Sequence, residues 1–324
     1  MAVRIPFNDL SRIHAPLEAE LQAAWQRVTR SGAFVLGPDV REFEAELASY
    51  CGAAHAVGVS SGTDALLVSL MALGIGPGHE VIVPAFSYIA TASTVALVGA
   101  RPVFVDIDPH SYAMAPQGVQ AALSPRTRAV VVAHLFGQCG DLTALEQICN
   151  QAGCALIEDA AQSIGAEDAQ GRRAGSVGKL GCLSFFPAKN LGAFGDGGAV
   201  VTQDAALADQ VTLLRQHGGR PKYHHVALGG NYRLDTLQAA ILRVKLRNLD
   251  AWTEERRQAA QRYRELLGVL AHNGALALPN EPAGRHAYNQ FVIRLRERER
   301  VQAELASAGV PTMVYYPSPL HLQP

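Results

Sequence analysis

Four short apolar runs, EVIVPA (80–85), PVFVDID (102–108), AVVVAHL (129–135) and ALIEDAA (155–161), recur through the first half of the chain with longer helix-like stretches between them. A run that is apolar at consecutive rather than alternate positions suits a strand covered on both faces, and such strands are parallel and joined by helices. The pattern predicts an α/β fold, a three-layer large domain with a mostly parallel sheet at its centre. With 324 residues there is room for a second, smaller domain.

Local punctuation agrees. GPDVREFEAELASYCG carries Pro38 early and Gly52 at its end, as a helix start and a left-handed cap require. From Arg233 onward, Leu234, Leu237, Ile241 and Val244 fall at three- and four-residue steps, which predicts one face of a long amphipathic helix leading out of the large domain. The large domain is therefore assigned to residues 1–250, with its N-terminal helix also available to the small domain or a dimer contact. Residues 251–324 add a helical stretch, a strand candidate NQFVIRL (289–295), a charged helix and a proline-punctuated end, read as a small domain that stops early.

Charge and cysteine content exclude several functions. The 28 basic and 29 acidic residues nearly cancel, so no polyanion-binding surface is expected and nucleic acid is not a partner. Cys51, Cys139, Cys149, Cys154 and Cys182 are odd in number, scattered and mostly in apolar surroundings, which suits a reducing compartment. No zinc-type spacing accompanies them, so no metal is expected. The opening MAVRIPFNDLSRIH lacks a signal-peptide pattern and no apolar run nears the roughly 20 residues of a membrane span, so the expectation is a soluble cytoplasmic protein without membrane contact.

Ligands of doubly wound sheets sit beyond the carboxyl ends of the strands, so polar residues there carry the functional question. Ser61-Gly62-Thr63 joins the run AVGVS to a helix, where small residues admit a phosphate to backbone N–H groups, although the same residues cap helices routinely. Asp159 closes the buried run ALIEDAA; it either caps the following segment or meets a cation such as a protonated heteroaromatic nitrogen. Lys189 lies in SFFPAKNLGAFGDGGAVV, between an apolar approach and four glycines. Most loop lysines are merely solvated, but one packed in this way loses hydration, its pKa falls and its amine attacks carbonyls. Together, a phosphate cradle, a buried aspartate and a desolvated lysine are the parts that bind pyridoxal phosphate.

With these segments, and with PFNDL, FVLGPDVREFE, ARPVFVDID, IEDAAQSIGA, NYRLDTLQAAILRVKL and YYPSPLHLQ, the chain resembles the DegT/DnrJ/EryC1/StrS family of pyridoxal-phosphate-dependent nucleotide-sugar aminotransferases over essentially its whole length. The resemblance implies fold type I, like aspartate aminotransferase, and a homodimer with shared active sites. It implies Lys189 as the residue joined covalently to the cofactor and as the proton shuttle, Asp159 at the pyridine nitrogen, Gln162 at the ring's 3′-oxygen side and Tyr88 stacked over the ring. Gly62, Thr63 and Ser184 would meet the phosphate, with Asn231 contributed from the other subunit. Tyr315, Tyr316 and His321 would lie near the sugar nucleotide, and Lys222 and Tyr223 would sit in a loop covering the neighbour's site. Related chains usually continue past PLHLQ, so an incomplete small domain and weakened closure are expected.

The implied reaction is amino transfer from L-glutamate to a nucleotide-linked keto hexose in making surface polysaccharide or a glycosylated product. A dehydratase of the same family would carry histidine at position 189. A non-catalytic regulator or scaffold would have no need of Lys189, Asp159 and Ser184 together. Neither the nucleotide nor the ketone position is readable from residue types.

Overall fold

The computed structural model describes residues 5–280 and 283–324; the first four residues of the N-terminal stretch read above lie outside them. Seven strands, β1 (His55–Val59), β2 (Glu80–Pro84), β3 (Arg101–Val105), β4 (Thr127–Ala133), β5 (Ala155–Asp159), β6 (Leu180–Ser184) and β7 (Gly198–Thr202), form one sheet in the order β1-β7-β6-β5-β4-β2-β3. The pairs from β6 to β3 are parallel, whereas β7 runs antiparallel to both its neighbours, β1 and β6. The mostly parallel sheet is thus as expected, with the returning strand β7 as its exception.

Alternate residues of a strand face opposite sides, and here each side has its own core. Val130, Val132 and Leu156 join Phe43, Leu47, Leu142 and Leu145 on one face, while Val131 and Ile157 join Leu66, Leu70, Val95 and Val211 on the other. Burial on both faces explains why these strands read as continuous apolar runs. The helix Pro38–Cys51 starts on Pro38 and ends on Gly52 at φ +68°, as its punctuation requires.

Two sequence expectations are corrected. The residues after Arg233 do not form a long one-faced helix: Leu234 precedes the helix Thr236–Leu246, whose Ala239, Ala240, Ile241, Leu242 and Val244 are all buried. It is wedged against the helices Glu18–Ser31 and Pro38–Cys51, and two neighbours require apolar residues around most of its circumference. The helix that leads on is Leu249–His272. The strand candidate 289–295 shrinks to Arg294–Leu295, paired antiparallel with Leu276–Ala277. Its first residues are diverted because the N–H groups of Asn289 and Gln290 both donate to Phe136 O, at 2.8 and 3.4 Å. No helix among the described residues is long and apolar enough to cross a membrane.

Candidate functional site

A cavity of about 480 Å³ opens beyond the carboxyl ends of β4, β5 and β6, and its walls include Gly62, Thr63, Asp159, Gln162, Ser184 and Lys189. Tyr88, Tyr315 and Tyr316 also line it. Residues far apart in the chain converge here because parallel strands place all their carboxyl ends on one edge of the sheet.

The helix Gly62–Ala72 begins at this edge. Ser61 caps it in an extended conformation, its Oγ accepting the Asp64 N–H at 3.0 Å. The N–H groups of Gly62 and Thr63, in the first turn, have no intrahelical acceptors and suit an anion. A Cβ on Gly62 would lie 2.6 Å from Ser184 Cβ, so only glycine lets the end of β6 approach the helix start this closely. Opposite, Gly198 faces Val59 and Ser184 in the ladders, and a Cβ there would meet Ser61 O at 2.3 Å. These glycines shape a backbone-lined cup that fits a phosphate group.

Asp159, 8% exposed, ends β5. Its Oδ2 accepts the Thr91 hydroxyl at 2.6 Å and its Oδ1 the Ala161 N–H at 3.3 Å. With its proton committed to Asp159, Thr91 Oγ1 must accept from Ser87 Oγ, 2.8 Å away. Two neutral donors orient the carboxylate but supply no counter-charge, and no ion pair to Asp159 forms among the described residues. A buried carboxylate in that state favours a cationic group beside it, which fits a pyridinium nitrogen.

Lys189 follows β6 in a turn closed by its N–H to Phe186 O at 2.8 Å. Burial lowers its pKa below the ordinary lysine value, and the charge of Asp159 offsets this only in part. Such an amine supplies a neutral nucleophile and base more readily than a surface lysine does. Gln162 is held at both ends: its Oε1 accepts the Phe136 N–H at 2.8 Å and its Nε2 donates to Tyr316 Oη at 2.9 Å. Tyr316 packs between Phe86 and Tyr88, with ring centroids 5.9 and 6.3 Å away. Burial pushes its phenol up to about 12, so it stays protonated near neutrality.

Four predicted residues, His321, Asn231, Lys222 and Tyr223, lie elsewhere in this chain. His321 is not in the cavity: the Leu320 N–H bonds Ala85 O at 2.7 Å, and this turn sets the imidazole against Phe104 at 6.0 Å. Asn231 is exposed and bridged to Gln216, outside the cavity. Lys222 lies over the ring of Tyr223, which is 83% exposed.

Sequence reasoning missed Thr91, His134 and Glu158. Glu158 and Asp159, adjacent in β5, face opposite sides of the sheet. Glu158 is fully buried and accepts His134 Nε2–H at 2.8 Å and the N–H groups of Gly175, Val177 and Gly178 at 2.7–2.8 Å. Burial raises its pKa, but the bond from His134 and these amides outweigh burial and hold it below the ordinary glutamate value. Glu158→Gln is expected to lower the unfolding free energy by about 3 kcal/mol at pH 7, measured by urea denaturation. A group held below its unfolded pKa stabilises fully above that value and loses its contribution as pH falls through the folded one. The difference between wild type and variant therefore persists down to about pH 4.5 and shrinks below it.

Comparison with known proteins bears on this site. The profile of the DegT/DnrJ/EryC1/StrS aminotransferase family matches residues 16–324. Over 99% of its length the chain is 46% identical to a "Pleiotropic regulatory protein" of Geobacillus stearothermophilus, covering 86% of that protein. It is 45% identical to the UDP-2-acetamido-2-deoxy-3-oxo-D-glucuronate aminotransferase of Pseudomonas aeruginosa, covering 99% of this chain and 88% of that one. The crystal structure of DesV from S. venezuelae, in complex with a ketimine intermediate, superposes with a TM-score of 0.95 at 44% identity, covering 99% of this chain and 86% of that one.

Proposed function

Because the chain belongs to the DegT/DnrJ/EryC1/StrS aminotransferase family and is a pyridoxal-phosphate-dependent nucleotide-sugar aminotransferase, we propose that Lys189 and Asp159 carry its chemistry and that L-glutamate is its amino donor. The observation behind this reading is the buried carboxylate of Asp159, without an ion-pair partner among the described residues, in the same cavity as the desolvated amine of Lys189.

When bound, pyridoxal phosphate supplies an electron sink for the pair left behind when a proton leaves the carbon bearing nitrogen. Asp159 keeps a positive charge on the pyridine nitrogen, and Thr91 and Ala161 hold the carboxylate in place for it. Gly62, Thr63 and Ser184 receive the phosphate at the helix start, joined by Asn231 of a second copy. Gln162 would meet the ring oxygen and Tyr88 would stack over the ring. Lys189 Nζ would anchor the cofactor and, as the free amine, would take a proton from the donor carbon and return one at the sugar carbon. The balance is an exchange: glutamate leaves as its keto acid and the ketone becomes an amine.

The protein would act as a cytoplasmic homodimer with shared active sites, supplying deoxyamino sugars for surface polysaccharide or a glycosylated product. Its division would fall into a large domain, 1–250, and a small one, 251–324. Tyr315 and Tyr316 would face the sugar nucleotide.

The test is a panel of UDP-, dTDP- and GDP-linked 3-keto and 4-keto hexoses with L-glutamate, following 2-oxoglutarate. One sugar is expected to give turnover of order 1–10³ s⁻¹. No sugar-dependent 2-oxoglutarate from the cofactor-loaded enzyme would count against the assignment.

A further inference from the structure

Resting on this functional reading, we propose that the side-chain amides of Asn289 and Gln290 form a specificity-determining pair that reads a hydroxyl of the acceptor sugar flanking its ketone. Both residues line the cavity that holds Lys189. They belong to no helix or strand, yet the backbone carrying them is tightly held. Besides the two bonds to Phe136 O, Ala287 N–H donates to Gly137 O at 2.8 Å, and Asn190 Nδ2, next to Lys189, donates to Ala287 O at 2.8 Å. A Cβ on Gly137 would lie 2.8 Å from Tyr288 N, so the two segments touch backbone to backbone. From the other side Arg256 Nη1 reaches Tyr288 O at 3.2 Å. A loop tied to the lysine-bearing segment and to the Gln162–Phe136 bond can hold side chains as firmly as a strand.

The amides are oriented against each other. Asn289 Nδ2 donates to Gln290 Oε1 at 2.7 Å, which leaves Gln290 Nε2 to donate and Asn289 Oδ1 to accept. Asn289 Oδ1 is buried and has no hydrogen-bond partner among the described residues. Exchanging O and N in both amides swaps the residues but preserves the offer of one acceptor beside one donor.

That complement decides between the two substrates. A carboxylate only accepts, so the amino donor's acid group would leave the pair's free acceptor oxygen unmet. A hydroxyl both donates and accepts, and satisfies the pair. A site built around a buried polar pair discriminates strongly, because an analogue lacking the hydroxyl leaves both groups unpaired.

The experiment compares holoenzyme forms of wild type, Asn289→Ala and Gln290→Met on UDP- and dTDP-linked keto hexoses that carry or lack the hydroxyl next to the ketone. The donor half-reaction with L-glutamate, followed by the cofactor spectrum, reports a sound fold. Wild type is expected to prefer the hydroxylated sugar by about 10²–10⁴-fold in kcat/KM, and the variants by less than about tenfold, with the donor half-reaction within about threefold of wild type. Undiminished discrimination in both variants, or a donor half-reaction that falls as far as the sugar one, overturns the proposal alone. A wild type that takes the amine from glutamate but aminates no keto sugar overturns the functional reading and this proposal with it.

Discussion

Lys189→Ala is expected to lower kcat by about 10⁴-fold, the upper range for losing a positioned acid–base group, with the fold intact. The size follows from two duties on one nitrogen. Among the described residues that line the cavity it is the only lysine or arginine, and the imidazole of His134 is committed to Glu158, so no neighbour there replaces the amine. Borohydride treatment followed by peptide mass analysis should add the cofactor's mass at position 189 in wild type and nowhere in the variant. Lys189→Arg should not rescue, because a guanidinium stays protonated, whereas small primary amines added to Lys189→Ala should restore part of the rate. A variant within tenfold of wild type would remove Lys189 from the mechanism.

The second large effect is at Asp159. Asp159→Asn keeps the shape and the hydrogen bond from Thr91 but removes the charge, and kcat should fall by about 10²–10³-fold, as for other pre-organised electrostatic groups. Cofactor affinity should weaken with it. Thr91→Val keeps the charge and removes one orienting donor, so its loss should be near tenfold, in kcat more than in KM. The two variants separate charge from orientation: equal losses would mean that the carboxylate acts through geometry alone. The check is steady-state kinetics with the cofactor spectrum recorded from pH 6 to 9.

Much of this was legible before any coordinates. The apolar runs exposed the sheet because both of its faces are buried, and Asp159 and Lys189 stood out as charges set where the local pattern is apolar or glycine-rich. Thr91 gave no such signal, since a threonine within the small-residue helix Ala90–Leu97 looks like ordinary filling until its hydroxyl is seen to reach Asp159. Asn289 and Gln290 were absorbed into a strand pattern, because NQFVIRL has the composition of one. What diverts them is the carbonyl of Phe136, a partner remote in sequence that a local reading does not supply. His321 shows the reverse: a motif fixed its neighbourhood, but the turn held by the bond from Leu320 to Ala85 places it beside Phe104 and not among the residues lining this chain's cavity.

The return of β7 between β1 and β6 joins the mouth of the anion cup and the lysine turn through a single strand, with Gly198 facing Val59 on one side and Ser184 on the other. The turn that carries Lys189 and the backbone cup at Gly62 are therefore one mechanical unit, although the chain reaches them in separate passes. Peeling that hairpin loosens both grips at once, so the vitamin should leave in a single step, at the rate at which the amides of Gly198–Thr202 become open to deuterium.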